Sequence, residues 1–233
     1  MKYIIVGLGT FGAALSQKLT AQENEVIGID KRMDKVDLYK EMISSTICMD
    51  ATEEASISGL PLKDTDVVII AIGEDQGANI MATALFKNLQ VKRLISRAIN
   101  PLHEKVLEAI GVDEIVHPEV ETAERWTKKL CLRNVVDSFQ LNEDFSIIEV
   151  NLPQEYIGKS IEEVGFRRHF DLLVLTTIKN ETVKSLIGKS RTERKVQGIP
   201  TANLILKEND ILVLYGQNKN LQNFLNQKLE NGW

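Results

Sequence analysis

Hydrophobic and polar positions follow two regimes along this chain, and the change between them falls near Pro118. Before it, short apolar runs rich in β-branched residues recur at Tyr3 to Val6, Val26 to Asp30, Ser45 to Met49, Asp66 to Gly73, Lys92 to Arg97 and Glu114 to His117. Runs that are apolar at nearly every position, as in Asp66 to Gly73, read as strands buried on both faces. Helices are expected between them: after Gly12, over Arg32 to Met42 with Met33, Val36 and Leu38 partly inward, from Glu53, and over Ala78 to Leu89. A further helix is expected from Pro101, with Leu102, Val106, Leu107 and Ile110 at helical spacing. Strands that alternate with helices at this pitch imply βαβ units. The fold class predicted for residues 1–117 is therefore α/β, a Rossmann-type doubly wound parallel sheet in the order 3-2-1-4-5-6.

From Pro118 the pattern becomes a single amphipathic helix to Leu132, with Glu119, Glu121 and Glu124 early and Arg125, Lys128, Lys129 and Arg133 late, an order that suits the helix dipole. Val120, Ala123, Trp126 and Leu130 give it an apolar stripe. With no strand of the first sheet to follow, this helix is either a linker or an arm that packs on a partner, and it sets a linker region at 118–137. A coil is expected from Asn134 to Asp144. Strands then follow at Phe145 to Leu152, Leu172 to Ile178, Glu193 to Val196 and Asp210 to Gly216, with short helices at Ser160 to Val164 and Lys219 to Leu229 and turns at Lys179-Asn-Glu and Glu208-Asn-Asp. Residues 138–233 thus read as a small α+β domain.

Charge narrows the partners. Residues 1–117 hold 12 Lys+Arg against 17 Asp+Glu, and 118–233 hold 16 against 16, so neither half offers the basic excess that nucleic-acid phosphates require. The longest apolar run, Val67 to Ile72, is too short to cross a bilayer, and direct membrane insertion is not expected. A soluble, intracellular protein is the expectation. Cys48 and Cys131 have no C-x-x-C spacing and are expected as small buried apolar side chains in a reducing compartment.

The candidate chemistry begins at the end of the first strand. Gly7, Gly9 and Gly12 make G-x-G-x-x-G, which supplies a tight turn, close backbone approach to a pyrophosphate and close helix–strand packing. The helix that follows would aim free N–H groups at a phosphate. Asp30, at the end of the second strand and eighteen residues after Gly12, stands where a carboxylate would hold an adenosine ribose hydroxyl. The competing interpretation is a glycine-rich turn with Asp30 merely solvated. Asp50, Gly73, Arg97 and Glu119 would also fall at the carboxyl edge of the sheet, where ligands of such folds bind.

Taken together, Gly-Leu-Gly-Thr-Phe-Gly12, Asp30, Asp50-Ala-Thr-Glu53, Ala71-Ile-Gly-Glu-Asp75, Ser96-Arg-Ala98, Gly111-Val-Asp-Glu-Ile-Val-His-Pro-Glu119 and Asn209-Asp-Ile-Leu-Val-Leu-Tyr-Gly216 closely resemble the RCK proteins. These are cytosolic regulatory subunits of Trk/Ktr-type potassium uptake systems. The resemblance spans nearly the whole chain. It implies dimers that assemble into rings, commonly octameric, docked on the cytoplasmic face of an integral membrane potassium-translocating subunit. It also implies that ATP, ADP, NAD or NADH in the N-terminal halves changes the ring's shape and hence gating. On this resemblance Gly7, Gly9, Thr10, Phe11 and Gly12 cradle the phosphates, Asp30 holds the adenosine ribose, and the adjoining Lys31 is a further cofactor-binding candidate. Asp50, Ala51 and Thr52 border the adenine, Ile72 and Gly73 line the other side of the cleft, and Arg97 contacts ribose or phosphate. Glu119 matches an acid that in some members helps hold a divalent or monovalent cation beside the phosphates; its other role would be that of a dipole-favouring acid in the first helical turn.

Three positions depart from the family pattern. Thr10 stands where several ATP-responsive members carry arginine, and its hydroxyl brings no charge to a terminal phosphate. Val120-Glu-Thr-Ala123 replaces the Lys-Asp-Met-Gly that often follows the acid. Gly165 precedes Arg167 where members that bind cyclic di-AMP carry Asn or Asp. The rival class is an NAD(P)-dependent oxidoreductase, which would need a proton donor beside the nicotinamide, yet no G-x-S-x-G or H-E-x-x-H appears, and the one Tyr-x-x-x-Lys, Tyr215 to Lys219, falls outside the nucleotide-binding half. His103, His117 and His169 lack ligand spacing and are expected in packing or surface roles. The expectation is a sensor, not an enzyme.

Overall fold

A computed structural model describes residues 1–131, 134–184 and 190–226, and the chain divides into two compact units, Met1–Val120 and Glu121–Trp233. In the first unit β1 (Lys2–Val6), β2 (Glu25–Asp30), β3 (Ser45–Cys48), β4 (Val67–Ile70), β5 (Leu94–Arg97) and β6 (Glu114–Val116) alternate with α1 (Thr10–Ala21), α2 (Met33–Tyr39), α3 (Glu54–Ile57), α4 (Gln76–Asn88) and α5 (Pro101–Ile110). The strands are parallel and stand in the order β3-β2-β1-β4-β5-β6, as the alternation predicts. Both faces are buried, which explains the near-continuous apolar runs: Ile4, Val6, Ile29, Val68 and Ile70 enter one core cluster, and Ile5, Val26, Val67 and Ile69 enter the other.

Local chemistry sets the helix ends. The Asp75 side chain accepts from Ala78 N at the start of α4, and the Asn100 side chain accepts from His103 N at the start of α5, with Pro101 at the first turn. Gly111, at φ 81°, closes α5 in the left-handed conformation. Two sequence expectations fail here. Helix α2 ends at Tyr39 and buries Val36 alone, leaving Met33 and Leu38 exposed, and Leu102 faces outward on α5. Both cysteines are exposed as well. Cys48 ends the edge strand β3 and Cys131 ends a solvated helix, so neither meets the core that its side chain suits.

Helix α6 (Pro118–Cys131) carries the boundary between the units. In the second unit β7 (Val135–Gln140), β8 (Phe145–Asn151), β9 (Leu173–Lys184), β10 (Ser190–Val196) and β11 (Ile211–Gln217) form an antiparallel sheet in the order β10-β9-β11-β8-β7. α7 (Ile161–Val164), α8 (Phe166–Phe170) and α9 (Asn218–Asn226) join it. Phe166, Leu221 and Phe224 from these helices pack with Val150, Leu172, Leu212 and Leu214 of the sheet side. This is the expected α+β unit, with corrections. The stretch expected as coil contains β7, whose pairing with β8 shifts register between Val135 and Asp137. The range 118–137 is consequently not all linker. The Lys179-Asn-Glu turn is interior to the long β9, and α8 was not anticipated. The expected ends of two helices, at Leu132 and at residues 227–229, and the expected late charge of Arg133 lie outside the described residues.

Candidate functional site

The turn after β1 is built around two glycines. Gly7 has φ 97°, and a Cβ on Gly12 would lie 1.9 Å from Gly7 O, so α1 starts against the strand end only because both positions lack side chains. Gly9 is different. A Cβ there would meet nothing within 4 Å, so the protein's own packing does not require this glycine, whereas a group approaching the backbone would. The first bond of α1 runs from Ala13 N to Gly9 O at 2.9 Å, which leaves the N–H groups of Thr10, Phe11 and Gly12 pointing out along the helix axis. Thr10 is exposed at this end, while the Phe11 ring turns away to pack on the core, so Phe11 can offer a ligand its backbone rather than its side chain.

Asp30 closes the turn from the second strand. One carboxylate oxygen accepts from Leu8 N at 2.7 Å and the other from Arg32 N at 2.9 Å. Both oxygens keep lone pairs, so the carboxylate is fixed in orientation and can still accept from a hydroxyl. At the end of β3, Asp50 accepts from the Thr52 hydroxyl at 2.7 Å and from Thr52 N at 2.9 Å, and these bonds, helped by the Lys31 charge, hold its carboxyl below the usual carboxylate range. Ala51 is buried between them. Asp50, Ala51 and Thr52 thus form a small rigid corner beside Asp30, with Lys31 exposed above it.

On the other side of β1, the end of β4 meets the glycine loop and β5 together. A Cβ on Gly7 would stand 3.0 Å from Ile72 N, and one on Gly73 would stand 2.2 Å from Arg97 Nη1. The guanidinium of Arg97 therefore lies over the Gly73 backbone, in space that any larger residue would fill. Its Nη1 donates to Ala71 O at 3.5 Å, its Nη2 donates to Glu119 Oε1, and its Nε is buried without a partner. Gly7, Gly9, Gly12, Asp30, Asp50, Ile72, Gly73, Arg97 and Glu119 all fall at the carboxyl ends of the strands, as expected.

A further residue was not read from the sequence. Asn79, fully buried on α4, donates from Nδ2 to Ile72 O at 2.9 Å and to Arg97 O at 3.2 Å, tying the ends of β4 and β5 to one side chain. Its Oδ1 faces Ser96 Oγ at 3.1 Å, His103 Nε2 at 3.2 Å and Thr83 Oγ1 at 3.4 Å. Burial pushes the His103 imidazole below its ordinary value of 6.5, which keeps it neutral in this network. An asparagine in an otherwise helical stretch carries no signal of this in spacing alone.

A cation held by Glu119 fits these residues poorly. The carboxylate is already engaged by Arg97, and among the described residues no group of three or more His, Cys, Asp or Glu could hold a metal ion, whereas hard cations need several oxygen ligands.

Comparison with known proteins agrees with this architecture. The TrkA-N domain model matches residues 3–118. The "Ktr system potassium uptake protein C" of Bacillus subtilis is 30% identical over 223 residues, covering 96% of this chain and 95% of that one. "Ktr system potassium uptake protein A" of the same organism is 29% identical over 226 residues, covering 97% and 96%. Among solved structures, one described as "GsuK channel bound to NAD" superposes with a TM-score of 0.62 at 18% identity, over 96% of this chain and 39% of that one. The likeness to that channel is one of fold. With a relative this similar along almost its full length, the chain belongs to the TrkA/Ktr family of potassium uptake proteins.

Proposed function

We propose that this chain is a cytosolic, nucleotide-sensing regulatory subunit of a potassium uptake system, gating an integral membrane potassium-translocating subunit and catalysing no reaction of its own. The observation that carries the nucleotide part is the pairing of an open helix N-terminus at Gly9 with an oriented Asp30 carboxylate on the neighbouring strand. That pairing suits a phosphate on one side and a ribose on the other. The potassium part is supported by relatives whose names are those of potassium uptake proteins and which align over at least 95% of their length. Among the described residues no helix is long and apolar enough to cross a membrane, which suits a subunit that works beside a membrane protein.

In this reading the ligand is an adenine nucleotide, ATP, ADP, NAD or NADH. The N–H groups of Thr10, Phe11 and Gly12 receive its phosphates and Asp30, flanked by Lys31, its ribose. Asp50, Ala51 and Thr52 border the base, and Ile72, Gly73 and Arg97 close the far side. Self-association, as a dimer and then a ring, is supported by α6, where Val120, Trp126 and Leu130 of the apolar stripe are exposed in a single chain. Isothermal calorimetry tests the reading. ATP, ADP and NAD should each bind, within about tenfold of one another or ~1.4 kcal/mol, because Thr10 brings no charge to a terminal phosphate. No binding of any of them, or steady hydride transfer from NADH to a carbonyl compound, would overturn it.

A further inference from the structure

The Arg97–Glu119 pair occupies a cationic position at the carboxyl edge of the sheet. Arg97 ends β5, its side chain is 16% exposed, and it lies over Gly73, next to the glycine turn that Ile72 touches. A guanidinium with so little water around it needs an anion, and here its Nε has no partner and its Nη1 has only a long bond to a neutral carbonyl. Glu119 supplies that anion. Its own side chain is 64% exposed and sits in the first turn of α6, so releasing Arg97 returns the carboxylate to water at little cost, whereas Arg97 cannot lose Glu119 without a replacement.

We infer that Glu119 is a built-in competitor for the anionic subsite on Arg97, and that a ligand phosphate binds there by displacing the Glu119 carboxylate from the guanidinium. This rests on the nucleotide reading proposed above and deepens it. A phosphate carries more negative charge than a carboxylate and can meet the guanidinium with two oxygens, so the exchange favours ligands with a phosphate in reach and does nothing for those without one. Glu119 thereby sets affinity and selects for phosphate, and the exchange frees the first turn of α6 from the end of β5 only when a phosphorylated ligand is bound. A cation ligand at this position would act with the opposite sign, since Glu119 would then help to hold the phosphates.

The sign is measurable by calorimetry on the full chain in EDTA, with ATP, ADP and unphosphorylated adenosine as probes. Glu119→Gln, with Glu119→Ala as a second variant, should tighten ATP and ADP about threefold to tenfold, the range an ion pair half open to water can withhold, and leave adenosine unmoved. In an Arg97→Gln background the same substitution should change ATP affinity by less than about twofold, because the contested group is gone. Weakened or unchanged ATP binding in Glu119→Gln overturns the inference while the nucleotide reading stands. Equal tightening with and without Arg97 also overturns it, since bulk repulsion would then suffice. If neither the wild type nor Glu119→Gln binds any probe, the nucleotide reading fails and takes the inference with it.

Discussion

Replacing Asp30 by alanine should damage two properties at once, because the carboxylate shapes the turn after β1 and, in the function proposed above, receives the ribose. Its bond to Leu8 N is 2.7 Å long and joins residues 22 apart in sequence, and Leu8 is fully buried. Alanine leaves that N–H without an acceptor, at a cost of about 1–3 kcal/mol for an orphaned donor of this kind. The second bond, to the exposed Arg32 N, passes to water and adds little. A loss of this size should lower the melting transition of the first unit by several degrees. Separately, loss of a charged hydrogen bond to a ribose hydroxyl should weaken ATP, ADP and NAD by ~1.5–3 kcal/mol, about ten- to a hundredfold. Asp30→Asn divides the effects. Its amide oxygen can still accept from Leu8 N, so most stability should return, while the lost charge should keep affinity low. Differential scanning calorimetry and titration calorimetry on the three proteins read both properties. Unchanged melting in Asp30→Ala would refute the structural role, and unchanged affinity in both variants would refute the ribose assignment.

Two further outcomes follow from the buried network. Asn79→Leu, nearly isosteric, removes the donor to Ile72 O and Arg97 O and the partner of His103 Nε2, and leaves the Ser96 and Thr83 hydroxyls only their bond to each other, and should cost about 2–4 kcal/mol in urea unfolding; a loss below ~1 kcal/mol would mean that Asn79 does not hold the ends of β4 and β5. Because burial lowers the folded-state value of His103 below 6.5, the unfolded chain binds more protons in that window. Stability should therefore fall as pH drops below about 6.5, and His103→Gln should flatten that limb of the pH–stability curve; an identical curve in the variant would contradict the assignment.

Much of this molecule is legible in the sequence where one local pattern decides the outcome. The parallel order was readable because strands buried on both faces leave continuous apolar runs, and Gly7, Gly12 and Asp30 because a turn and a strand end restrict their residue types. Legibility ended where distant groups decide. Val135-Val-Asp-Ser-Phe-Gln140 is too polar at one end to announce a strand, and its place is settled by pairing with β8 and by the bond of Arg125 Nε to Asp137 at 2.8 Å. Helix α8 lies between Gly165 and Asp171, both left-handed, and Phe-Arg-Arg-His-Phe170 alone has no such boundary. Asn79 has no mark of its own in the sequence, because its role depends on the ends of β4 and β5 meeting at one side chain. Even Asp30, readable as the polar end of β2, carries no sign in the sequence of its tie to Leu8.

In the proposed function, nucleotide occupancy of the first unit controls potassium movement. It is tested by potassium flux through the proposed membrane partner, reconstituted in vesicles with this chain and measured with ATP, ADP, NAD, NADH or none. Flux should depend on the chain and differ severalfold between nucleotides, with Asp30→Ala responding only at about ten- to a hundredfold higher nucleotide concentration. Flux that is the same with every nucleotide and with none, while the chain is bound to the membrane subunit, would contradict it.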